Sequence, residues 1–222
     1  GVREFDYVID LIAYVKGDAY LALRKFPTAN YLLISSTWLP QKTGAPLVNQ
    51  PILDANSVPQ DLPTATQIYL QGKLHCERET LFGRDSGSLA QILRLPILFG
   101  HRDHTKRSSF YLTRARDGHG QILIDSGHND VQVVWIRDLS FALTRYILNR
   151  TPHDASIIEA LPPKTVTVRD IAQASASICA MPFRPLFASH ERLQQDLADY
   201  VRIEPLWRER VMATSSDNLF CL

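Results

Sequence analysis

Three short apolar runs in the first half of the chain constrain its fold more than any other feature of the sequence. They cover residues 5–13, 31–35 and 90–96, and each is nearly continuously apolar. Such runs are typical of strands that are buried on both faces, as in parallel sheets covered by helices. Residues 19–25 and about 66–82 lie between the runs and have helical patterns. The alternation of strand and helix predicts an α/β fold with a doubly wound parallel sheet.

Beyond Gly100 the pattern is less regular, which indicates a second part of the chain. Residues 131–136 predict a further strand, and residues 137–148 predict an amphipathic helix. Residues 165–174 have the pattern of a strand that leads into a helix. We therefore expect a sheet-forming domain and a smaller C-terminal lobe. The sheet-forming domain comprises residues 1–100 and 131–150, and the lobe comprises residues 101–130 and most of residues 151–222.

The charge and the cysteine content narrow the class of protein. A net charge of +1 and the lack of an apolar run of ~20 residues predict no nucleic-acid or membrane partner. Cys76, Cys179 and Cys221 are widely spaced and form no Cys-x-x-Cys motif. This pattern favours a reducing compartment, which we expect to be the cytoplasm, and it predicts no disulfide framework and no metal site.

Tyr69 and Lys73 lie on the second predicted helix at a spacing that places both side chains on one face. A tyrosine phenol is a poor acid or base near neutral pH, because its reference pKa is ~10. A nearby ammonium stabilises the phenolate and lowers that pKa. Such a tyrosine can pass a proton to or from a substrate oxygen. The spacing by itself is weak evidence, because a surface helix can contain it by chance.

Ser36 and Thr37 end the second apolar run. Open parallel sheets carry their ligand-binding groups at the carboxyl ends of the strands. Either hydroxyl would therefore be placed to hold a substrate oxygen next to Tyr69.

The order of four motifs resembles that of the extended short-chain dehydrogenases/reductases, the NAD-dependent epimerase/dehydratase family. Ile34-Ser-Ser-Thr37 resembles the family's Ile-Ser-Ser-x strand end, and residues 69–77, Tyr-Leu-Gln-Gly-Lys-Leu-His-Cys-Glu, resemble its Tyr-x-x-x-Lys-x-x-x-Glu helix. Residues 93–100, Leu-Arg-Leu-Pro-Ile-Leu-Phe-Gly, resemble the strand and turn beside the nicotinamide. Residues 134–139, Val-Trp-Ile-Arg-Asp-Leu, resemble the segment that returns the chain to the core. The resemblance spans about residues 5–180.

The resemblance implies a Rossmann-like fold and a role for each motif residue. Tyr69 would be the catalytic acid/base, and Lys73 would bind the nicotinamide ribose and tune Tyr69. Ser36 best fits the hydroxyl that orients the substrate, with Thr37 as the alternate. NAD or NADP would be the cofactor. The residues placed along that cofactor by register are Leu11, Ala13, Leu95 and Pro96.

One element of the family pattern is not found in the sequence. Family members begin with a strand and a Gly-x-x-Gly-x-x-Gly turn that receives the pyrophosphate, and this chain contains no such turn. Residues 7–11 would then form an exposed apolar edge strand, which native folds avoid. We expect an N-terminal segment, present as another chain or omitted from this sequence, or a partner subunit to cover that strand. We also expect the chain alone not to bind NAD(P) tightly.

Three single residues and the segment 94–97 add further expectations. Trp38 replaces the usual continuation of the strand end, where it would either widen the apolar wall of the substrate site or pack under the loop. Arg94-Leu-Pro-Ile97 lacks the Arg-Tyr-Phe-Asn sequence of nucleotide-sugar epimerases, which argues against a UDP-sugar substrate. Glu77 would either pair with Lys73 or lie on the helix surface. We expect Trp135 to be a core residue.

These features favour an NAD(P)-dependent oxidoreductase or epimerase/dehydratase-like enzyme that acts on a hydroxyl or carbonyl of a small metabolite. One alternative is a degenerate family member that binds a ligand or partner without redox turnover. The other is a non-redox catalyst that uses Tyr69 in the same pocket. The motif residues argue for the enzyme, whereas the missing glycine turn argues for the alternatives.

Overall fold

A computed structural model describes residues 5–39, 54–60, 62, 64–82, 89–103, 106–124, 126–128, 130–149 and 157–188. The chain divides into two compact units. The first, here called the sheet unit, contains Gly1–Pro96 and Asp138–Leu161, and the second unit contains Ile97–Arg137 and Pro162–Leu222. Within the described residues, none of the helices combines the length and the apolar character that crossing a bilayer requires.

The described residues form alternating strands and helices in the first half of the chain and mostly short strands with intervening helices in the second half. In chain order they are β1 (Tyr7–Asp10), α1 (Asp18–Lys25), β2 (Asn30–Ser36), a 3₁₀ turn (Ala55–Ser57), α2 (Thr64–Phe82), β3 (Ala90–Leu95), β4 (Ile97–Phe99), α3 (Arg107–Arg116), β5 (Gln121–Ile124), β6 (Asp130–Val131), β7 (Val133–Trp135), α4 (Ile136–Asn149), β8 (Ile157–Glu159), β9 (Val166–Thr167), α5 (Val168–Ile178) and β10 (Pro185–Ala188).

The sheet unit is built on four parallel strands in the order β1-β2-β3-β8. The register pairs Ser36 at the end of β2 with Leu95 at the end of β3. Helices α1 and α2 connect the first three strands, as the alternating sequence pattern predicts. The expected α/β class with a parallel sheet is therefore confirmed.

Helices contact both faces of this sheet. On one face α1 and α2 form a core with the strands, and its buried residues are Ala13, Ala19, Leu23, Tyr31, Leu33, Cys76, Ala90, Ile92 and Ile157. On the other face the Tyr146 hydroxyl of α4 donates a hydrogen bond to the side chain of Gln91 on β3. Because Gln91 and Ile92 are neighbours on one strand, they point to opposite faces. This arrangement agrees with a doubly wound sheet.

The strands differ in how completely they are buried. All six residues of β3 are buried, which confirms the prediction for residues 90–96. The four residues of β1 are only partly buried, and Leu11 just beyond it is 60% exposed. Residues 5–13 are thus not buried on both faces as their apolar pattern favoured, whereas the expected edge position of residues 7–11 agrees with the described strands, among which β1 pairs only with β2. The segment expected to cover this edge remains a prediction.

The described part of the second unit contains short strand pairs and the helices α3 and α5. Strands β5 and β10 pair in parallel, as do β4 and β7, whereas β6 and β9 are antiparallel. The strand expected at residues 131–136 is two short strands, β6 and β7, and Ile136 already begins α4. The expected strand-to-helix transition at residues 165–174 is confirmed. There Thr167 and Asp170 form a capping box at the start of α5.

Trp135 is not a core residue, which corrects the sequence prediction. Its side chain is 47% exposed. It ends β7, a strand of three residues whose described partner is β4. A short strand with one described neighbour leaves a terminal side chain open to solvent.

Candidate active site

Lys73 is anchored at the carboxyl ends of two strands of the sheet unit. It lies in the middle of α2 and is only 3% exposed. Its ammonium donates hydrogen bonds to the backbone carbonyls of Ala13, after β1, and Ile34, near the end of β2, at 2.9 Å and 3.0 Å. The face of the Tyr14 ring lies 4.2 Å from the same nitrogen, measured to the ring centroid. Burial lowers the pKa of Lys73, and the surrounding acidic groups offset this only in part.

Tyr69 lies one helical turn before Lys73 and is partly buried between two other aromatic rings. Its ring centroid lies 6.0 Å from that of Tyr14 and 6.5 Å from that of Trp38. Both Trp38 and Tyr69 pack against a buried apolar cluster that consists of Leu39, Val58, Leu70 and Leu74. This packing agrees with one of the two interpretations of Trp38, and a part in the wall of a substrate site remains a prediction.

Ser36 and Thr37 lie at the same end of the sheet, but their hydroxyls differ in accessibility. The Ser36 hydroxyl is buried and accepts a hydrogen bond from the backbone N–H of Trp38 at 3.2 Å. Thr37 is only partly buried, and its N–H donates to the carbonyl of Leu95 at 3.0 Å. The structure brings both residues to the expected strand end. Which hydroxyl serves a substrate remains a prediction.

The four residues predicted to line a cofactor all lie at the carboxyl ends of β1 and β3, the two strands that flank β2. Leu11 is exposed and Ala13 is buried in the turn after β1, while Leu95 and Pro96 are buried at the end of β3. The Asp10 carboxylate fixes the turn after β1. It accepts the N–H groups of Ile12 and Ala13, both at 2.9 Å, together with the Tyr31 hydroxyl at 2.6 Å. Contact of these residues with a cofactor remains a prediction.

Sequence inspection did not anticipate how firmly the loop between β1 and α1 is held. The Asp18 carboxylate accepts the N–H groups of Tyr14 and Val15 at 2.8 Å and 3.0 Å, and these bonds lower its pKa. The Glu79 carboxylate of α2 accepts the N–H of Gly17 at 2.7 Å. An Asp at the first turn of a helix is a common capping signal, and it is the one hint that the sequence offered.

Gly72 allows α2 to approach this loop closely. A Cβ atom built at Gly72 would lie 2.0 Å from the carbonyl oxygen of Tyr14, far inside van der Waals contact. The position next to Lys73 therefore requires a residue without a side chain.

Glu77 has neither of its expected roles. It is completely buried and binds Arg94 of β3 through two hydrogen bonds, at 2.9 Å and 2.7 Å. The same guanidinium lies 3.4 Å from the carboxylate of Glu159 on β8. Glu77 thus neither pairs with Lys73 nor lies on the helix surface, because the register of α2 on the sheet aims it at Arg94.

The described residues fit the nicotinamide end of a dinucleotide. A buried lysine cation, a tyrosine and the exposed apolar side chain of Leu11 share one end of a parallel sheet, where such ligands bind. The described part of the chain contains no Gly-x-x-Gly-x-x-Gly turn for the pyrophosphate. It also contains no group of three His, Cys, Asp or Glu side chains arranged to hold a metal ion.

Comparisons with known proteins find similarity in structure only. No protein-family model matches the chain, and no curated protein matches its sequence. The dTDP-glucose 4,6-dehydratase of Bacillus anthracis, solved with NAD, aligns with a TM-score of 0.64 at 14% identity. RMD from Pseudomonas aeruginosa, solved with NADPH, aligns at 0.59 and 16% identity. The UDP-glucuronic acid 4-epimerase of Bacillus cereus, solved with UDP-glucuronic acid and NAD, aligns at 0.56 and 16% identity.

These alignments cover most of the chain but only part of each similar protein. They include 86%, 87% and 77% of this chain, and 63%, 75% and 52% of the dehydratase, RMD and the epimerase, respectively. At such low identity the similarity establishes the fold and nothing finer. The chain has the Rossmann-type fold of epimerases and dehydratases that bind NAD or NADPH in their own structures.

Proposed function

We propose that this chain provides the catalytic part of an NAD(P)-dependent oxidoreductase or epimerase/dehydratase-like enzyme. Its substrate would be a small metabolite that reacts at a hydroxyl or carbonyl group. One observation carries the proposal: a buried lysine ammonium lies one helical turn from Tyr69, at the carboxyl ends of parallel strands. The cofactors in the structurally similar dehydratase, RMD and epimerase support it.

Tyr69 would transfer the proton. In the reducing direction its phenolic oxygen gives a proton to the substrate carbonyl oxygen, and in the oxidising direction it takes one from the hydroxyl. The positive charge of Lys73 favours the phenolate that remains after the proton has left. NAD or NADP, when bound, supplies or accepts the hydride.

The remaining predicted residues would orient the two ligands. Ser36 would hold the substrate oxygen, with Thr37 as the alternate; the Ser36 hydroxyl accepts from the N–H of Trp38, and the Thr37 hydroxyl lies 3.5 Å from the Leu95 carbonyl oxygen. Lys73 would bind the nicotinamide ribose. The residues proposed to line the nicotinamide are Leu11, Ala13, Leu95 and Pro96.

One observation favours a second candidate, in which Tyr69 acts as acid or base without a nicotinamide. The Lys73 ammonium already contacts the carbonyls of Ala13 and Ile34 and the ring of Tyr14. Binding a ribose hydroxyl would require it to exchange one of these contacts. A site that never binds the cofactor would leave all three in place.

The test combines cofactor binding with turnover in the full chain. Saturation-transfer NMR with NADH and NADPH detects weak binding, and we expect Lys73→Met to abolish the signal while the exposed control Lys25→Met retains it. Turnover of NAD⁺ with a panel of sugar nucleotides and secondary alcohols, followed by NADH absorbance, should fall at least about 100-fold in Tyr69→Phe.

The outcomes separate the candidates. Equal NADH signals in the wild type and in Lys73→Met would contradict the proposed cofactor site. Turnover that depends on Tyr69 but not on added NAD(P) would establish the non-redox catalyst instead.

A further inference from the structure

The face of the Tyr14 ring closes one side of the Lys73 ammonium. The nitrogen lies 4.2 Å from the ring centroid, and it donates hydrogen bonds to two neutral carbonyls, those of Ala13 and Ile34. Within the described residues Lys73 forms no ion pair with a carboxylate. A lysine cation over an aromatic face is attracted by the negative charge of that face, more strongly where water is excluded.

The acidic groups around Lys73 are engaged with other partners. Asp10 binds the Tyr31 hydroxyl and the turn after β1, and Asp18 binds the backbone of the following loop. Glu77 binds Arg94, and burial raises the pKa of the Cys76 thiol to about 11, so that it is neutral at physiological pH. The Lys73 ammonium is therefore held by two carbonyl oxygens and the face of one aromatic ring.

The position of Tyr14 is fixed although its side chain is 47% exposed. Its N–H is held by Asp18 at 2.8 Å, and its carbonyl fits against Gly72 with no room for a side chain. The same ring lies 6.0 Å from the ring of Tyr69. Tyr14 thus contacts both members of the proposed catalytic pair.

We propose that Tyr14 is a positioning residue of this site, whose ring face holds the Lys73 side chain as a cation beside Tyr69. Its importance for catalysis rests on the proposed function. The cation–ring contact itself does not, and it can be measured without any substrate.

The test alters the charge distribution of the ring while keeping its shape. Position 14 is replaced by phenylalanine and then by mono-, di- and trifluorophenylalanine through stop-codon suppression. Fluorine withdraws electron density from the ring face without opening the site to water. The titration of Lys73 is followed by NMR of lysine labelled at ¹³Cε, since six lysines give few signals and Lys73→Arg assigns the relevant one.

We expect Tyr14→Phe to leave the Lys73 midpoint unchanged and each added fluorine to lower it. The full series should move it by about one pH unit. The same series at Tyr20, which is equally exposed and lies over Arg24 instead, should leave Lys73 unchanged. If the titration midpoint of Lys73 is the same in all variants at position 14, the proposal is overturned. A ring that acts only by shielding the lysine from water would have the same effect on the Lys73 pKa with and without fluorine.

This result is independent of the test of the proposed function. A shift of the Lys73 midpoint without NAD(P) binding would support the role of Tyr14 and contradict the cofactor. NAD(P) binding with a constant midpoint would support the cofactor and contradict the role of Tyr14.

Discussion

Among the described residues of the sheet unit, two cations are buried, and their partners are of opposite kinds. Arg94, 1% exposed on β3, lies between the carboxylates of Glu77 and Glu159. Lys73, 3% exposed on α2, has two backbone carbonyls and an aromatic ring as its partners. Only one helical turn separates Lys73 from Glu77, so both arrangements belong to one layer of the molecule.

The difference separates a structural cation from one that is available to a ligand. Burial disfavours the charge of Arg94, but the hydrogen bonds and charges of its two carboxylates outweigh it, so its pKa is raised. At Lys73 burial prevails and the pKa is lowered. Exchanging a carboxylate partner inside a protein is costly, whereas a carbonyl or ring contact is weaker and can be replaced by a ligand. The comparison therefore predicts that Arg94 stabilises the fold and that Lys73 serves the site.

The largest expected effect is that of Arg94→Met. Removing the guanidinium takes away the cation that the buried Glu77 and Glu159 carboxylates share. We expect the free energy of unfolding to fall by about 3–5 kcal/mol. Urea denaturation followed by circular dichroism measures it.

The double substitution Arg94→Met with Glu77→Met serves as the control. It removes one stranded carboxylate and should regain part of the loss. If Arg94→Met alone is as stable as the wild type, Arg94 does not stabilise the fold and the contrast with Lys73 is contradicted.

Lys73→Met should have a smaller effect on stability. Methionine avoids the cost of burying a charge but leaves the carbonyls of Ala13 and Ile34 without their lysine donor. The first effect stabilises the folded state and the second destabilises it. We therefore expect the free energy of unfolding to fall by about 1–2 kcal/mol at most. The same urea titration compares the two variants, and equal losses for Lys73→Met and Arg94→Met would remove the distinction between the two cations.

The smallest expected effect concerns Cys76, which lies between Lys73 and Glu77 on α2. Burial, followed by the charge of Glu79, raises the pKa of its thiol from 9.0 to about 11. The folded state therefore holds this proton more tightly than the unfolded chain. The resulting stability is complete below pH 9 and is lost as the pH rises toward 11.

We expect this contribution to be about 1 kcal/mol or less. It is measured as the difference between wild type and Cys76→Ala in urea denaturation below pH 9 and near pH 11. If the wild type and Cys76→Ala differ by the same free energy of unfolding below pH 9 and near pH 11, the pKa of the Cys76 thiol is not raised by folding.

The sequence predicted the elements of the sheet unit better than the contacts between them. Continuous apolarity identified residues 90–96 as a buried strand, and the spacing of Tyr69 and Lys73 placed both on one helix face. The pairing of Glu77 with Arg94 depends on how α2 lies across β3, and no local pattern encodes that register.

In the proposed site, too, the position of a residue could be predicted from its neighbours in sequence, whereas its contacts could not. Lys73 was expected to face a ligand, and its carbonyl partners come from positions 39 and 60 residues away along the chain. The prediction for Trp135 was wrong because it used hydrophobicity alone. A hydrophobic side chain is buried only if neighbouring elements cover it, and the three-residue strand β7 leaves Trp135 uncovered.

Gly72 has a consequence for recognising related sequences. The Tyr-x-x-x-Lys motif treats the residue before the lysine as arbitrary, yet here even one carbon atom at that position would collide with the Tyr14 carbonyl. A homologue with alanine or serine there can match the motif letter for letter and still need a different path for its β1–α1 loop. Glycine before the lysine should therefore mark the chains whose β1–α1 loop passes as close to the helix as it does here.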